Sequence, residues 1–200
     1  MVEDCTALIL AGGKSKRMGR DKATAQLDGR PLWQHISAQL TPHFTQLLFS
    51  VREPRPDLPP AQVVDAFEGG GPMIGIASAL AVMESEWLFA VGCDMPFVQP
   101  ALIDCLASRR SADIDVVLAE VDGHRQPLLA LYAKRALPAM RARIARGERS
   151  LQALIADDLR AVIVGDSVLR RIDGALRSFM DLDTPALLQS VQMDGDLGGR

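Results

Sequence analysis

The chain has 200 residues, of which 48% are hydrophobic and 24% are charged, and it carries a formal net charge of −3 at pH 7. This acidic balance excludes a general nucleic-acid-binding or anionic-membrane surface, so a local cluster of cations is expected to serve a small anion. The apolar runs are too short to cross a bilayer, and residues 1–5 contain no signal-peptide core. Because the three cysteines have no metal or redox spacing, we expect reduced thiols in a cytoplasmic protein.

The first predicted element is an apolar strand over residues 6–10, and the chain then turns at Gly12 and Gly13. Since glycine has no Cβ, the backbone N–H groups of such a turn can approach an anion closely. The cations that follow on the same loop are Lys14, Lys16, Arg17 and Lys22. This density of positive charge beside exposed backbone donors is typical of a polyphosphate-binding loop.

The loop matches neither of the two best-known phosphate-binding loops. A P-loop requires Lys and then Ser or Thr directly after its second glycine, whereas Gly19 is followed by Arg20 and Asp21. A dinucleotide fingerprint requires three glycines at fixed offsets, and lysine, serine and arginine occupy the close-approach positions here. On composition alone, a tight turn with a solvated basic face is the alternative.

Farther along the chain, apolar strands alternate with helical patterns. Helices are predicted over residues 32–40, 73–84, 100–109 and 136–146, from residue 151, and after Pro185. Strand-length apolar runs are found at residues 47–51, 62–65, 86–92, 114–121, 127–132 and 161–164. The alternation predicts a three-layer α/β/α fold with a mostly parallel sheet. We expect one domain over residues 1–190 and a disordered tail over 191–200.

Two carboxylates follow directly on predicted strands, Asp65 after the third strand and Asp94 after the fourth. Ligands of parallel sheets bind outside the carboxyl ends of the strands, so the basic loop, Asp65 and Asp94 are expected to meet at one rim. Each acid also has a purely structural alternative, since Asp65 could cap the next segment and Asp94 could hold a turn before Pro96.

The motif L-A-G-G-x-S-x-R-M-G-x-D-K at residues 10–22 resembles the signature loop of the nucleotidyltransferases. Its double glycine is similar to that of one branch in particular, the molybdenum cofactor guanylyltransferases of the MobA family. Further matches follow in the same order at residues 31–35, 71–76 and 93–96. The resemblance extends over residues 6–188, which is most of the chain.

The resemblance implies a Rossmann-like nucleotidyltransferase fold and transfer of GMP from GTP to the phosphate of molybdenum-molybdopterin, with release of pyrophosphate. It implies Mg²⁺ as the cofactor and GTP and molybdopterin as partners, together with proteins that deliver molybdopterin or receive the product. The residues implied to bind the nucleotide are Leu10, Ala11, Gly12, Gly13, Lys22, Ser50, Asp65 and Asp94. Asp94 is also implied to bind Mg²⁺. Ser50 occupies a position at which the family often has Asn.

The chain departs from the family near its C-terminus. Where the family frequently shows Asn-x-Asn-Thr-Pro, this sequence has Asp181, Asp183, Thr184 and Pro185. Acids at these positions could bind the metal directly, which makes Asp183 a second candidate ligand, and both Asp181 and Asp183 could face the acceptor. The alternative is that Asp183 caps the closing helix.

The expected chemistry accounts for these residue types. Joining a phosphate monoester to a triphosphate brings two anions together, so the site must neutralise charge. Mg²⁺ prefers carboxylate and phosphate oxygens, and Asp94 is the strongest candidate ligand. Lys22 and Arg17 would complete the neutralisation and act in catalysis with Asp94. Because a phosphate monoester has a second pKa of about 6, it is largely dianionic at neutral pH and needs no general base.

Two other functions are open at this point. A related cytidylyltransferase or sugar-phosphate nucleotidyltransferase would use the same loop with another base or acceptor. A non-catalytic nucleotide-binding subunit would keep the fold, although the presence of both Lys22 and Asp94 counts against it. Comparing nucleotide transfer from GTP, CTP, ATP and UTP discriminates among them, and we expect GTP to be preferred.

Overall fold

The computed structural model describes residues 1–12, 23–184, 187–188 and 190–191. In this part of the chain the strands are β1 (Cys5–Leu10), β2 (Gln26–Leu27), β3 (Arg30–Pro31), β4 (Leu47–Val51), β5 (Gln62–Val64), β6 (Trp87–Gly92), β7 (Val116–Val121), β8 (His124–Ala133) and β9 (Ala161–Val164). Seven of these described strands form one sheet in the order β5-β4-β1-β6-β8-β7-β9. Strands β2 and β3 form a separate small hairpin.

The sheet is mostly parallel, as the sequence predicts. Strand β1 pairs in parallel with β4 and β6, β4 pairs in parallel with β5, and β7 pairs in parallel with β9. Only β8 runs against its neighbours β6 and β7 in the described sheet. The central strands are mostly apolar because helices cover both faces of the sheet, and their polar members Thr6 and Ser50 are buried.

Helices form the two outer layers. They are α1 (Leu32–Leu40), α2 (Pro72–Val82), α3 (Pro100–Ala107), α4 (Leu137–Ala145), α5 (Leu151–Asp157) and α6 (Asp166–Ile172). Helices α1, α3 and α6 pack on one face of the sheet, and α2, α4 and α5 pack on the other. The predicted three-layer α/β/α fold is therefore confirmed. In the described part of the chain, no helix is both long and apolar enough to cross a membrane.

A third, smaller core lies beside the carboxyl ends of the strands. Its buried members are Ala25, Leu27, Leu32 and Leu182, and Phe97 packs against them. These residues come from the segment after the basic loop, from the start of α1, from the segment after β6 and from the C-terminal part of the chain. One small cluster thus joins four separate stretches of sequence next to the predicted site.

The structure adds two elements to the expected ones and changes several bounds. Helix α6 and the β2–β3 hairpin are not among the predicted elements. Helix α2 ends at Val82 rather than at residue 84, α3 ends at Ala107 rather than at residue 109, and β8 begins at His124 rather than at residue 127. The closing helix is present in the described residues 187–188 and 190–191. Residue 191, the first of the predicted tail 191–200, belongs to this helix, and the rest of the tail lies outside the described residues, so the division into one domain and a tail stays a prediction.

Candidate functional site

The carboxyl ends of β5, β4, β1 and β6 lie together, because these four strands run in the same direction. Hydrogen bonds continue the pairing beyond the end of β1. The amide of Ala11 donates to the carbonyl of Ser50 at 3.0 Å, and the amide of Cys93 donates to the carbonyl of Leu10 at 3.3 Å. Leu10 and Ala11 therefore lie between the end of β4 and the residues that follow β6.

Asp65 lies at the same edge, directly after β5. Its amide donates to the carbonyl of Val51 at 2.9 Å, which extends the pairing of β5 with β4. The side chain is half-buried, and burial raises the pKa of the Asp65 carboxyl, while the positive charge of Arg52 opposes that rise. Asp65 thus lies at the end of the sheet where the topology rule predicts it, and its role in binding the nucleotide stays a prediction.

A glycine-rich turn follows Asp65 and leads into α2. Gly69, Gly70 and Gly71 have φ values of 101°, 61° and 108°, which a residue with a Cβ rarely adopts. Two guanidinium groups lie against this turn. A Cβ added at Gly70 would lie 3.0 Å from the guanidinium of Arg52, and a Cβ added at Gly69 would lie 3.0 Å from the guanidinium of Arg149. The turn therefore combines close backbone access with positive charge.

The loop after β4 brings another cation to the residues that directly follow β1. Arg55 donates from Nη1 to the carbonyl of Ala11 at 3.4 Å and forms an ion pair with Asp57 at 2.5 Å. A Cβ added at Gly12 would contact the amide nitrogen of Arg52 at 3.4 Å. Arg52 and Arg55 are thus functional candidates that the sequence reasoning missed, because they lie in a proline-rich loop without a motif.

Asp94 is half-buried beside the end of β6, and its position depends on Gly92. A Cβ added at Gly92 would lie 2.6 Å from Oδ1 of Asp94, which is shorter than any van der Waals contact allows. The amide of Met95 donates to the carbonyl of Gly92 at 3.3 Å and closes the turn. The carboxylate therefore folds back over a residue that has no side chain.

The C-terminal acids lie next to Asp94. The amide of Leu182 donates to the carbonyl of Asp94 at 2.8 Å, and the amide of Asp183 donates to the carbonyl of Asp181 at 2.9 Å. Asp181 is exposed and Asp183 is half-buried. The fold thus brings the backbone of residues 181–183 next to that of Asp94, although the two segments are far apart in sequence.

The closing helix is capped by the residue after Asp183. Thr184 accepts a hydrogen bond at Oγ1 from the amide of Leu187 at 3.3 Å, and its carbonyl accepts from the amide of Leu188 at 3.1 Å. This is the geometry of a helix N-cap. Thr184 therefore caps the helix among the described residues, and the choice between a capping role and a metal-binding role for Asp183 stays a prediction.

The side chain of Ser50 is buried between the sheet and α2. Its side chain is 3% exposed, and a Cβ added at Gly75 of α2 would lie 2.2 Å from its Oγ. The hydroxyl thus occupies the interior between β4 and α2, while the carbonyl of Ser50 binds the amide of Ala11. That Ser50 contacts the nucleotide stays a prediction.

The remaining predicted site residues, Gly13, Arg17 and Lys22, lie outside the described residues. Among the described residues, no three His, Cys, Asp or Glu side chains form a cluster that could hold a metal ion alone. Mg²⁺ does not need such a cage, since one or two carboxylates together with phosphate oxygens and water complete its coordination. Asp94 with Asp183 nearby fits that donor set.

The mostly parallel sheet between two layers of helices, with aspartates just after β5 and β6 at the same end of the sheet, defines a Rossmann-like fold of the nucleotidyltransferase type. Molybdopterin-guanine dinucleotide biosynthesis protein A from Archaeoglobus fulgidus is similar, with 26% identity and a TM-score of 0.85 over 96% of this chain and 99% of that one. A 2-C-methyl-D-erythritol 4-phosphate cytidylyltransferase from Thermus thermophilus shares the fold alone, with 18% identity and a TM-score of 0.66 over 96% of this chain and 98% of that one.

Sequence comparison defines the family more narrowly. The model of the MobA-like NTP transferase domain matches residues 7–162. A molybdenum cofactor guanylyltransferase from Vibrio cholerae is 33% identical, and the alignment covers 91% of this chain and 88% of that protein. Another from Pseudomonas putida is 32% identical, with coverage of 92% and 96%. The chain therefore belongs to the MobA-like NTP transferase family.

Proposed function

We propose that this protein transfers GMP from GTP to the phosphate of molybdenum-molybdopterin, forming the guanine dinucleotide form of the cofactor and releasing pyrophosphate. The observation that carries the proposal is the convergence of Asp65, Asp94 and the C-terminal acids where the chain leaves β1 for the signature loop. Relatives that cover most of the chain are named for the same reaction. Such a site has the acids and cations that two reacting phosphate groups need.

In this proposal the nucleotide lies along the carboxyl ends of the strands. Leu10, Ala11, Gly12 and Gly13 would offer backbone groups to it, and Asp65 would accept hydrogen bonds from the base edge or the ribose. The burial that raises the pKa of Asp65 also makes an unpaired carboxylate costly, so donors on the nucleotide would relieve that cost. This pairing favours a ligand rich in N–H and O–H groups, as guanosine is.

Charge neutralisation would be shared between side chains and Mg²⁺. Asp94 would hold the metal, with Asp183 as a second oxygen ligand, and Asp181 would face the acceptor. When bound, the metal would supply charge neutralisation at the phosphate oxygens. Lys22 and Arg17 would bind the triphosphate and stabilise the charge that develops on the departing pyrophosphate. The acceptor phosphate is already dianionic at neutral pH, so no residue needs to remove a proton from it.

The test is a nucleotide-transfer assay with GTP, CTP, ATP and UTP, each combined with molybdopterin and with a sugar phosphate in the presence of Mg²⁺. We expect GMP transfer to molybdopterin and pyrophosphate release, with GTP preferred over the other nucleotides by more than about tenfold. Predominant cytidylyl product would instead identify a cytidylyltransferase. Transfer to the sugar phosphate alone would identify a sugar-phosphate nucleotidyltransferase, and no transfer at all would indicate a nucleotide-binding subunit.

The Asp94→Asn variant tests whether Asp94 is the metal ligand. The amide keeps the shape of the side chain but loses the negative charge that a metal ligand needs. We expect turnover to be abolished while the free energy of unfolding changes little. If the variant kept near-normal pyrophosphate release at saturating GTP and ordinary Mg²⁺ concentration, the assignment of Asp94 as the metal ligand would be wrong.

A further inference from the structure

The segment after α6, residues 173–184, runs back along residues 94–99, which follow β6. We call residues 173–184 the C-terminal strap. The amide of Leu182 donates to the carbonyl of Asp94 at 2.8 Å, and the guanidinium carbon of Arg177 lies 4.7 Å from the ring centroid of Phe97. The strap therefore touches the segment that carries the proposed metal ligand at two separate points.

Ser178 makes a third contact, and it is the most buried one. Its relative exposure is 0%. Its Oγ accepts a hydrogen bond from the amide of Gln99 at 3.1 Å and donates to the carbonyl of Phe97 at 3.4 Å. Both partners belong to the backbone of the segment that begins with Asp94. One buried hydroxyl thus satisfies two backbone groups of that segment, which fixes its path.

Asp173 in turn fixes Ser178. The Asp173 side chain is 3% exposed, and its Oδ2 accepts a hydrogen bond from the amide of Ser178 at 2.7 Å. The amide of Asp173 donates to the carbonyl of Leu169 in α6 at 2.8 Å. A chain of hydrogen bonds therefore runs from α6 through Asp173 and Ser178 to the segment after β6.

The backbone between these two residues adopts a conformation that local preference does not explain. Leu176 has a φ of 52° and a ψ of 32°, which is uncommon for a residue with a branched side chain. Its amide donates to the carbonyl of Asp173 at 2.8 Å. Such a conformation persists only when the surrounding contacts require it. Here those contacts are the ones that hold the strap against residues 94–99.

We propose that Ser178, held by Asp173, is a positioning residue that sets the place of Asp94 for nucleotide transfer. This inference rests on the proposed function, because it assigns Asp94 to the reacting phosphates. Ser178 touches neither the nucleotide nor the acceptor in this proposal. It acts by fixing the backbone that carries Asp94, while Leu182 ties the same strap to the small core beside the carboxyl ends of the strands.

The first test compares Ser178→Ala with Ser85→Ala. Ser85 is a matched control, because its hydroxyl also bonds buried groups, the Oγ1 of Thr6 at 2.8 Å and the carbonyl of Trp87 at 3.1 Å, but at the amino end of β6. We expect Ser178→Ala to lower kcat about tenfold, with KM for GTP changed less than about threefold. Ser85→Ala should lose comparable thermal stability and keep its kcat.

A second measurement does not depend on turnover. Hydrogen exchange of the Gln99 amide should become faster in Ser178→Ala, because that amide loses its acceptor, and should stay unchanged in Ser85→Ala. Asp173→Asn keeps an oxygen that can accept from Ser178, so it should retain most of the kcat that Asp173→Ala loses. If the Asp173 carboxylate served only as a buried charge, Asp173→Asn would lose as much kcat as Asp173→Ala.

The outcomes separate this inference from the proposed function. Wild-type protein that transfers no nucleotide would overturn the proposed function. Wild-type protein that transfers GMP while Ser178→Ala keeps its kcat would overturn the positioning role alone. Equal losses of kcat in Ser178→Ala and Ser85→Ala would also overturn it, since the effect would then follow general stability.

Discussion

Gly92 lies where the carboxylate of Asp94 folds back over the end of β6. A methyl group at this position would stand 2.6 Å from Oδ1 of Asp94, while its contacts with Met95 would be ordinary at 3.6 Å. The added group therefore acts mainly on the carboxylate, which must rotate away. Displacing a charged group from its working position by about 1 Å can reduce turnover by up to about a hundredfold.

We predict that Gly92→Ala lowers turnover by at least about tenfold and changes the free energy of unfolding only slightly. Gly165→Ala is the matched control, because a Cβ at Gly165 would meet no atom within 4 Å. Steady-state kinetics and thermal unfolding of both variants check the prediction. An active Gly92→Ala protein would mean that the orientation of Asp94 seen here is not the one used in the reaction.

The sequence allows some of these site residues to be predicted and hides others. Asp65 and Asp94 are predictable because each follows an apolar strand, and parallel strands bring their carboxyl ends together. The dependence of Asp94 on Gly92 is a matter of how closely its carboxylate packs on the backbone, which no residue pattern encodes. The contact of Ser178 with Gln99 spans 79 positions in the chain. Such a pairing follows only from the three-dimensional path of the strap.

Helix α2 packs closely on the sheet because Gly75 faces Ser50 and Leu10. A Cβ at Gly75 would lie 2.2 Å from Oγ of Ser50 and 3.1 Å from a methyl carbon of Leu10. Replacing glycine by alanine within a helix normally gains about 1 kcal/mol. Overpacking a core costs about 1 to 3 kcal/mol, and two close contacts put this position toward the upper end. The clash should therefore outweigh the gain in helix propensity.

We predict that Gly75→Ala destabilises the protein by about 1 to 2 kcal/mol and that adding Ser50→Ala recovers much of this loss. The second change removes the hydroxyl that the new methyl group would strike. Urea unfolding of the wild type, both single variants and the double variant measures the coupling. Strictly additive effects would show that α2 moves away from β4 instead of striking Ser50.

An ion-pair cluster lies near β7 and β9, on the side of the sheet away from β5. The carboxylate of Asp115, at the start of β7, accepts two hydrogen bonds at 3.0 Å from the guanidinium of Arg160 and a third at 3.0 Å from that of Arg135. Hydrogen bonding to Arg160 is the main reason that the pKa of Asp115 falls to about 2 from an ordinary value of 3.8. A carboxyl whose pKa is lowered in the folded state stabilises the fold above its unfolded pKa and loses that contribution as the pH falls through the folded value.

We predict that Asp115→Asn lowers the free energy of unfolding at pH 7 by about 1 to 2 kcal/mol. This is less than the full pKa shift implies, because Arg160 is largely exposed and solvent screens its charge. The difference from wild type should shrink to about half by pH 3, because Asp115 of the unfolded wild-type chain, with its ordinary pKa of 3.8, is then mostly protonated, while the folded carboxylate, with its pKa of about 2, is still charged. Urea unfolding at both pH values measures it. A difference that stayed constant with pH would mean that Asp115 contributes through shape alone.

The long elements of the fold can be predicted from the sequence more readily than the short ones. Strands β1, β4 and β6 are predictable because each is an apolar run that ends at glycine, a charged loop or an acid. Helix α6 (Asp166–Ile172) was missed because it spans only two turns, too few for an apolar period to be visible. The β2–β3 hairpin has two residues in each strand and is recognised only by its pairing.

The whole molecule contributes to one site, because the groups that meet at the edge of the sheet come from residues 10–12, 65–71, 94 and 181–183. An unfolded chain has none of this arrangement, so a nucleotide that binds there binds the folded state alone. A ligand at 100 times its Kd then raises the free energy of unfolding by about 2.7 kcal/mol. For a chain of this length, that increment corresponds to a rise in Tm of about 5 to 10 °C.

We predict that GTP with Mg²⁺, at 100 times its Kd, raises Tm by about 5 to 10 °C in the absence of any acceptor. CTP presents a different pattern of donors and acceptors, so a pocket built for guanine leaves polar groups unpaired, at a cost of about 1 to 3 kcal/mol each. At the same concentration CTP should therefore raise Tm by about half as much or less. Thermal unfolding with each nucleotide measures base preference separately from chemistry. Equal rises with GTP and CTP would show that the triphosphate alone is recognised, and the guanine preference would then have to arise during transfer.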